Sequence, residues 1–409
     1  MGEQWANIRT LLAKAPSSTL WKDICDHIDT IDDPHLCEST VSYVNAHLSG
    51  WPLSTRIVRL RPDWQSRHFP TPPSWKIARS VVLDDTTYPL LQREFSHIQN
   101  DHAFDHIELM RCSLVGAALE PAVHRIKRIL PQLRSLDLSG PTRSPNEIHS
   151  LFHASWLDSL EELQLGHCGI GDEGCKLLAS ASFFPSLRAL SLENNQISGD
   201  GLHALLSAPH SPPLCTLNLS TNILHEDALQ VLSSLHGTLR NLSLSANPLA
   251  VDAHVSLCDT RMSFEGLFLD FLSITEDGLD ALLSSDVLKG CRSLGLSGTG
   301  LGDRGLSLLA GAASLQMLQE LFVAKNQIGD GGLIALSNTK SLTNLRSLEL
   351  SANQIGDDGL VALASSEAMK HLHTLKLSFN RFRARGMMAL SRSPHLTQLR
   401  TLDVRGVKI

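Results

Sequence analysis

The sequence predicts an α/β solenoid in which one short strand and one helix alternate along most of the chain. The first observation is a segment that recurs about every 27 residues, clearest in LRSLELSANQIGDDGLVALA from Leu345 to Ala364. A fixed period of this length is typical of stacked repeats. The second observation is a change of pattern inside the segment. Leu348 and Leu350 alternate at period two, as in a strand, and the second half of the segment has helical spacing.

The copies follow one another from about residue 78 onwards. Four clear copies start at Leu160, Leu187, Leu318 and Leu345. Weaker copies start at Phe104, Leu133, Leu214, Leu239, Phe264, Cys291 and Leu372. A degenerate first copy begins near Ala78, and a half-copy begins at Leu399. Most starts are 27 residues apart, two spacings are 25 and one near the start is 29. The sequence therefore predicts about 12 repeats in residues 76–409.

The unit L-x-x-L-x-L-x-x-N-x-I/L-G-D-x-G-L-x-x-L resembles the leucine-rich repeat, and its length resembles the ribonuclease-inhibitor subclass. This resemblance implies a right-handed curved solenoid with a parallel sheet on its concave face and helices outside. It also implies that the asparagine after each strand, such as Asn353, hydrogen-bonds the backbone of neighbouring turns. The same place is occupied by Asn195, Asn222, Asn247, Asn326 and Asn380, and by Cys112 and Cys168 as substitutes that the family tolerates.

An acidic pair, Asp357 and Asp358, invites a metal or acid–base interpretation, but the repeats favour an architectural one. Asp357 comes just before the helical part of its repeat, where a short oxygen acceptor satisfies free helix N–H groups. Asp358 follows in the first turn, where negative charge suits the helix dipole. We therefore expect Asp357 to cap its own helix. We expect Gly359 to let that helix lie close to the strand. The same aspartate position holds Asp172, Asp303 and Asp330.

The first 75 residues contain no repeat and are predicted to form a separate helical segment. WANIRTLLAKA places Trp5, Ile8, Leu11 and Leu12 on one helical face, and two further helices follow. HFPTPPSWK then interrupts regular structure before the repeats. Because the first repeat of a solenoid leaves an apolar end, a helical N-terminal cap is expected there. An independent adaptor domain is the alternative.

Composition excludes several classes of protein. The net charge of −7 and pI near 6.2 give no electrostatic case for general binding to nucleic acid or membrane. No apolar run reaches the length of a spanning helix, and the N-terminus lacks a signal-peptide pattern. The eight cysteines are scattered without a C-x-x-C motif, which suits a reducing cytosol. We therefore expect a cytoplasmic protein without disulfides.

The concave face is where the resemblance places recognition. Counting from the first leucine, positions 2, 3, 5, 7 and 8 of each repeat point there. Phe268 and Phe322 share position 5, with backbones about 10 Å apart, and Phe271 and Phe379 share position 8. Aromatic residues on an exposed face are candidate interface anchors. The alternative is that these rings only pack on their neighbours. The predicted partner-binding residues are Phe268, Asp270, Phe271, Phe322, Lys325, Glu349, Lys376 and Phe379.

Position 2 forms a row of arginines in alternate repeats. A two-repeat unit of this kind would place one arginine about every 10 Å along one rim. The row either faces an acidic partner or is a solvated rim that neighbouring glutamates partly neutralise, and the second interpretation is favoured because surface ion pairs contribute little. The row consists of Arg134, Arg188, Arg240, Arg292, Arg346 and Arg400.

Other chemistry is weakly indicated. His97, His102 and His106 with Asp101 and Asp105 are metal-ligand types, but their spacing matches no zinc signature. The basic stretch from Arg56 to Arg67 surrounds a tryptophan without a nucleic-acid motif. No phosphate loop, G-x-S-x-G or H-E-x-x-H is present. We therefore expect no catalytic residue, no metal and no cofactor.

The function that the sequence favours is a non-enzymatic scaffold that binds another protein through its concave face. One alternative is a regulator of an enzyme, since Ran-type GTPase activators share this repeat subclass, although no residue here matches their catalytic positions. Another is a sensor in host or bacterial defence. The final strand near Val404 is expected to leave an open edge. Either a partner or a second copy of the chain covers this edge, or its short length and the positive charge of Arg400, Arg405 and Lys408 protect it.

Overall fold

A computed structural model describes residues 2–58, 72–84, 104–114, 129–153, 157–233, 239–258 and 262–406, with Thr87, Pro89, Gln92 and Ile98. These residues contain 12 α-helices and 13 strands. The chain divides into two compact units. The first unit is residues 1–169 with 180–187, and the second unit is residues 170–179 with 188–409.

The first unit combines the N-terminal helices with the first strands of the repeats. Its helices are α1 (Gly2–Leu12), α2 (Ser18–Asp29), α3 (Pro34–His47) and α4 (Pro145–Phe152). Its strands are β1 (Ser80–Leu83), β2 (Leu109–Cys112), β3 (Ser135–Asp137) and β4 (Glu162–Gln164). The four strands pair in parallel and in chain order.

The three helices predicted before residue 50 are present. The hydroxyl of Ser17 accepts from the backbone N–H of Leu20 and caps α2, as a serine at this position does. The indole N–H of Trp21 donates to the carbonyl of Ile57 (2.8 Å), and Trp75 is buried in a 3₁₀ turn at Pro73–Ile77 that leads towards β1. A parallel backbone bridge between Ile57 and Ser80 joins this segment to the first strand of the repeats. The domain boundary at residue 75 stays a prediction.

The second unit repeats strand and helix in strict alternation over most of its length. Its strands are β5 (Ala189–Ser191), β6 (Thr216–Asn218), β7 (Asn241–Ser243), β8 (Gly266–Phe268), β9 (Ser293–Gly295), β10 (Glu320–Phe322), β11 (Ser347–Glu349), β12 (Thr374–Lys376) and β13 (Thr401–Asp403). Its helices are α5 (Gly171–Ala179), α6 (Gly199–Leu206), α7 (Glu226–Ser233), α8 (Glu276–Ser284), α9 (Gly302–Gly311), α10 (Asp330–Ser337), α11 (Asp357–Ala364) and α12 (Ala384–Ser391).

The core of the second unit lies between its sheet and its helices. Parallel pairing places equivalent leucines side by side, for example Leu348 opposite Leu375. Leu348 and Leu350 are completely buried, and so are Leu360 and Leu363 on α11. Burial of such side chains stabilises the fold by about 1.5–3 kcal/mol each. The predicted α/β solenoid of short parallel strands and outer helices is confirmed.

The asparagine ladder is confirmed. Nδ2 of Asn353 donates to the carbonyls of Val323 (3.0 Å) and Leu350 (2.9 Å). Its Oδ1 accepts from the backbone N–H groups of Asn326 (2.9 Å) and Ile328 (3.0 Å). One buried amide therefore satisfies backbone groups of its own repeat and of the preceding one, which would otherwise be left without partners in the core. Equivalent bonds are made by Asn222, Asn247, Asn326 and Asn380.

The second repeat has a different register from the predicted one. Leu109 pairs with Ser135, so this repeat starts at Ile107 and not at Phe104. Cys112 therefore occupies a core position of the strand, and its predicted place in the ladder is wrong. The thiol of Cys168, by contrast, does take the ladder position and donates to the carbonyl of Leu138 (3.2 Å). None of the eight cysteines, which all lie in the described part of the chain, forms a disulfide bond.

An arginine replaces the ladder amide in the repeat that starts at Leu133. Pro141 stands where the asparagine is expected, and proline has no side-chain donor. Arg143, which is only 3% exposed, donates to the carbonyls of Leu114 (2.7 Å), Cys112 (2.8 Å) and Leu138 (3.1 Å). The guanidinium thus bonds carbonyl groups of two successive turns.

The aspartates before the helices act on the next repeat, which corrects the prediction that each one caps its own helix. Asp330 is the first residue of α10, and the N-cap residue of that helix, Gly329, provides no side-chain cap. Instead, its carboxylate accepts from the N–H groups of Gly356 (2.7 Å) and Gly359 (2.9 Å) at the start of α11. Asp357 likewise accepts from Arg383 (2.8 Å) and Gly386 (2.8 Å) at the start of α12.

The recurrent glycine is explained by the same contact. A Cβ atom at Gly359 would lie 2.6 Å from Oδ1 of Asp330, and a Cβ at Gly386 would lie 2.8 Å from Oδ1 of Asp357. The glycine therefore makes room for the carboxylate of the preceding repeat. The prediction that it lets its helix approach the strand is wrong at these positions.

Substituting Asp330 by alanine should destabilise the following repeat. We expect a loss of about 1 kcal/mol in the free energy of unfolding, since the first turn of α11 loses its acceptor. Hydrogen exchange should accelerate at Gly356 and Gly359, and not in the first turn of α10. Asp358→Ala is the matched control, because its exposed ion pair with Arg385 should contribute about 0.5 kcal/mol or less. Faster exchange confined to α10 would contradict the contact between repeats.

The stability provided by Asp357 should depend on pH. The backbone N–H of Arg383, with that of Gly386 and the charge of Arg385, holds the pKa of Asp357 below its usual value. A depressed carboxyl pKa adds stability above the unfolded-state value of about 3.9, and this stability is lost as the pH falls through the lower folded-state value. The difference in melting temperature between wild type and Asp357→Asn should therefore be largest near neutral pH and should shrink as the pH falls. A difference that stays constant below pH of about 4 would contradict this.

Candidate functional site

A groove of about 780 Å³ lies along the sheet face of the second unit. It extends from Glu193 to Arg405. Its floor is formed by small side chains at position 7, including Ser220, Ser245 and Ser297. All eight residues that the sequence predicts for partner binding line this groove: Phe268, Asp270, Phe271, Phe322, Lys325, Glu349, Lys376 and Phe379.

Phe268 and Phe322 form an aromatic pair across one intervening strand. Their ring centroids are 6.0 Å apart at an interplanar angle of 45°, which is closer than the backbone separation predicts. Gly295 lies between them in the sheet, paired with both. A Cβ at Gly295 would lie 2.7 Å from the Phe268 ring, so the absence of a side chain lets the rings lean together. Both rings are half-buried and retain an exposed edge in the groove.

Phe271 and Phe379 are the most exposed aromatic residues of the groove. They are 52% and 65% exposed, and both have left-handed backbone conformations with φ of 60° and 59°. Most other repeats place glycine, alanine, asparagine or threonine at this position, and two place His167 and Lys325 there. The left-handed conformation disfavours a bulky side chain. Nζ of Lys325 lies 5.3 Å from the centroid of Phe271, in a cation–π contact.

The charged residues of the groove are mostly paired. The Asp270 carboxylate accepts from the N–H of Ser297 (2.7 Å) and the hydroxyl of Ser245 (3.0 Å), so it joins neighbouring repeats. Nζ of Lys376 lies 3.1 Å from the Glu349 carboxylate. Asp270 is thus fixed by the architecture, and Lys325 remains the cation most available beside an aromatic ring.

The arginine rim is neutralised in some repeats and not in others. Arg134 pairs with Glu161 (3.2 Å), and Arg240 pairs with Glu265 (2.9 Å). The remaining positions of the row alternate with Cys215, Gln319 and His373, which carry no carboxylate. The prediction of a partly neutralised rim therefore fits the first repeats better than the last. The exposed arginines with no glutamate beside them in the row are Arg346 and Arg400.

Sequence reasoning missed an apolar row on the helices of the last repeats. Ile334, Val361 and Met388 occupy one helical position 27 residues apart and are 40%, 38% and 49% exposed. Earlier helices hold polar residues there: Lys176, His203, Gln230, Asp280 and Ser307. The change from polar to apolar was visible in the aligned repeats.

The weaker candidates have structural roles where they are described. His106 donates from Nε2 to the carbonyl of Trp75 (2.5 Å), and burial lowers its pKa. His97, Asp101 and His102 lie outside the described residues. Arg56 is 4% exposed and donates to the carbonyl of Ile77, and its pKa is lowered to about 10, chiefly by burial. Arg56 is therefore not available to a nucleic acid, and residues 59–67 lie outside the described part.

No group of three or more histidine, cysteine, aspartate or glutamate side chains is arranged to hold a metal ion in the part of the chain that the structure describes. Over the same residues, no helix combines the length and the apolar character needed to cross a membrane.

Comparison with known proteins identifies the repeat. A model described as "Leucine Rich repeat" matches residues 158–179, 185–206, 314–337, 341–364 and 368–391. The chain is a leucine-rich repeat protein. No curated protein sequence matches it. The ribonuclease-inhibitor subclass stays a prediction.

Two solved structures are similar to this chain to different extents. A chain of the Rad7 and Elc1 complex from yeast is similar over 98% of this chain and 94% of its own length, with a TM-score of 0.57 and 14% identity. An internalin from Listeria monocytogenes is similar over 74% of this chain and 82% of its own length, with a TM-score of 0.42 and 19% identity. At 14% identity, the similarity to the yeast structure shows the fold alone.

Proposed function

We propose that this leucine-rich repeat protein is a non-enzymatic scaffold that binds another protein in the groove of its second unit. The observation that supports this most directly is the exposure of Phe271 and Phe379. The stack of repeats does not require them, because alanine or glycine occupies the same position elsewhere, for example Ala352 and Gly298. A bulky, exposed aromatic residue at a position that small residues fill in other repeats is a candidate interface anchor.

The aromatic residues also provide enough apolar surface for binding. Each phenylalanine contributes about 1.5–3 kcal/mol when a partner removes it from water. Aromatic anchors near the centre of an interface commonly dominate its binding energy. Phe268 and Phe322 form such a centre, and Phe271 with Lys325 adds an amphipathic contact beside it.

The yeast structure supports a protein partner, since it contains Rad7 together with Elc1. The groove contains no arrangement of nucleophile and base that would favour catalysis over recognition. A cytoplasmic location, a separate role for the N-terminal helices and a contact at the edge of β13 remain predictions that accompany this proposal.

Removing the aromatic pair should weaken binding while the fold persists. The partner is first isolated from the cells of origin with the wild-type chain and then titrated by calorimetry. Phe268→Ala combined with Phe322→Ala should reduce the binding free energy by about 2–4 kcal/mol. Phe271→Ser should also weaken binding without lowering the melting temperature, because this side chain is exposed.

The control is Val361→Ser combined with Met388→Ser on the outer helices, which should leave the affinity unchanged. An unchanged affinity in the Phe268/Phe322 variant, together with a lower melting temperature, would mean that these rings are packing residues. The groove proposal would then be wrong.

A further inference from the structure

Positive charge is concentrated in the last forty residues. Residues 370–409 contain nine lysines and arginines and one acidic residue, Asp403, whereas the whole chain has 35 basic and 42 acidic residues. Since the net charge of the chain is −7, the residues before 370 are strongly acidic. Such an asymmetry within one chain is a feature of interaction surfaces.

Part of this charge lies on the loop between β12 and α12. Arg381 and Arg383 are exposed there, at positions where the preceding repeat has Gln354 and Gly356. Arg385 follows in the first turn of α12 and pairs with Asp358. Within the described residues, neither Arg381 nor Arg383 forms an ion pair of this kind. These two guanidinium groups are therefore available to a partner.

The loop continues directly from the most exposed aromatic residue of the groove. Phe379 precedes Arg381 by two residues, and its ring lies so close to Gly406 that a Cβ there would be 2.5 Å away. Along the same row, Phe271, Lys325 and Phe379 follow at intervals of two repeats, about 10 Å each. Small residues, Gly298 and Ala352, separate them. Apolar and cationic side chains thus alternate along this row at position 8 of the repeats.

We propose that the row from Phe271 to Arg383 binds an acidic segment of the partner protein, with apolar side chains interspersed among its carboxylates. This inference rests on the proposed function, because it names the chemistry of what the groove recognises. Carboxylates of the segment pair with Lys325, Arg381 and Arg383, since arginine binds carboxylates through paired hydrogen bonds. Its apolar side chains contact Phe271 and Phe379.

A nucleic acid fits this surface less well. Carboxylates are interspersed among the cations, with Asp403 bonded to Arg405 and Glu349 to Lys376. A phosphate backbone carries charge at every nucleotide and would face these carboxylates. A peptide can place its charges opposite arginines and its apolar side chains elsewhere. The surface therefore favours a protein segment over RNA.

Fluorescence anisotropy with defined probes tests the proposal on the full chain. The first probe is a labelled peptide of about ten residues in which aspartate and glutamate alternate with leucine and phenylalanine, long enough to span the four strand spacings from Phe271 to Phe379. The second replaces its acids by asparagine and glutamine. The third is a single-stranded RNA of similar length. The acidic peptide should bind about tenfold tighter than the neutral one, and added salt should weaken it.

Charge reversal locates the binding site. Arg381→Glu combined with Arg383→Glu should weaken the acidic peptide about tenfold or more, and Phe379→Ser should weaken it severalfold. Arg392→Glu, an exposed arginine at the other end of α12, is the matched control and should change the affinity less than about twofold. The proposal would be overturned if the neutral peptide bound as tightly as the acidic one, or if the RNA bound more tightly than the acidic peptide. It would also be overturned if Arg392→Glu weakened the acidic peptide as much as the double charge reversal does.

Failure of the acidic-segment proposal gives a different experimental result from failure of the groove proposal. If the Phe268/Phe322 variant loses the natural partner while the acidic peptide does not bind, the groove stands and the acidic segment is wrong. If the peptide binds at Arg381 and Arg383 while the natural partner is unaffected by the aromatic variant, the groove proposal fails instead.

Discussion

The structure depends on hydrogen bonds that each repeat makes to the backbone of its neighbour. The strands are only three or four residues long, so the sheet ladder alone fixes few groups per repeat. Asn353 bonds the preceding repeat from the core, and Asp330 bonds the start of the following helix at the surface. Each bond contributes about 1 kcal/mol, and losing a buried one leaves polar groups without partners at a higher cost. These contacts set the register with which successive repeats stack.

This register leaves the concave side chains free to differ. Leucines, asparagines and the capping aspartates are occupied by the stack, whereas the residues at positions 5 and 8 point into the groove and differ from repeat to repeat. Phe268 and Phe322 meet there because Gly295 lies between them. Phe271 and Phe379 remain exposed on a backbone conformation that does not favour them. A rigid frame with variable side chains can present aromatic and charged groups at fixed spacing, which is what selective recognition requires.

The sequence correctly predicted the features that can be recognised within a single repeat. It did not predict the contacts that depend on the neighbouring repeat. The period, the leucine pattern and the asparagine position are visible in any single copy, and all eight groove residues were placed in one groove. The aspartate was assigned to the wrong helix because a single repeat does not reveal that its carboxylate points to the next one. Cys112 was misplaced because its repeat is degenerate, and the 6.0 Å ring contact was missed because Gly295 belongs to a different copy.

We propose that the partner contacts the groove and not the outer helices. Site-specific photocrosslinking tests it most directly: a photoreactive phenylalanine analogue replaces Phe271 in one variant and Val361 in another, and each is irradiated in an extract of the cells of origin. A discrete crosslinked product is expected from position 271. Excess unlabelled wild-type chain should suppress this product, and Phe322→Ala should remove it. Equal or stronger crosslinking from position 361, with none from position 271, would contradict the proposal.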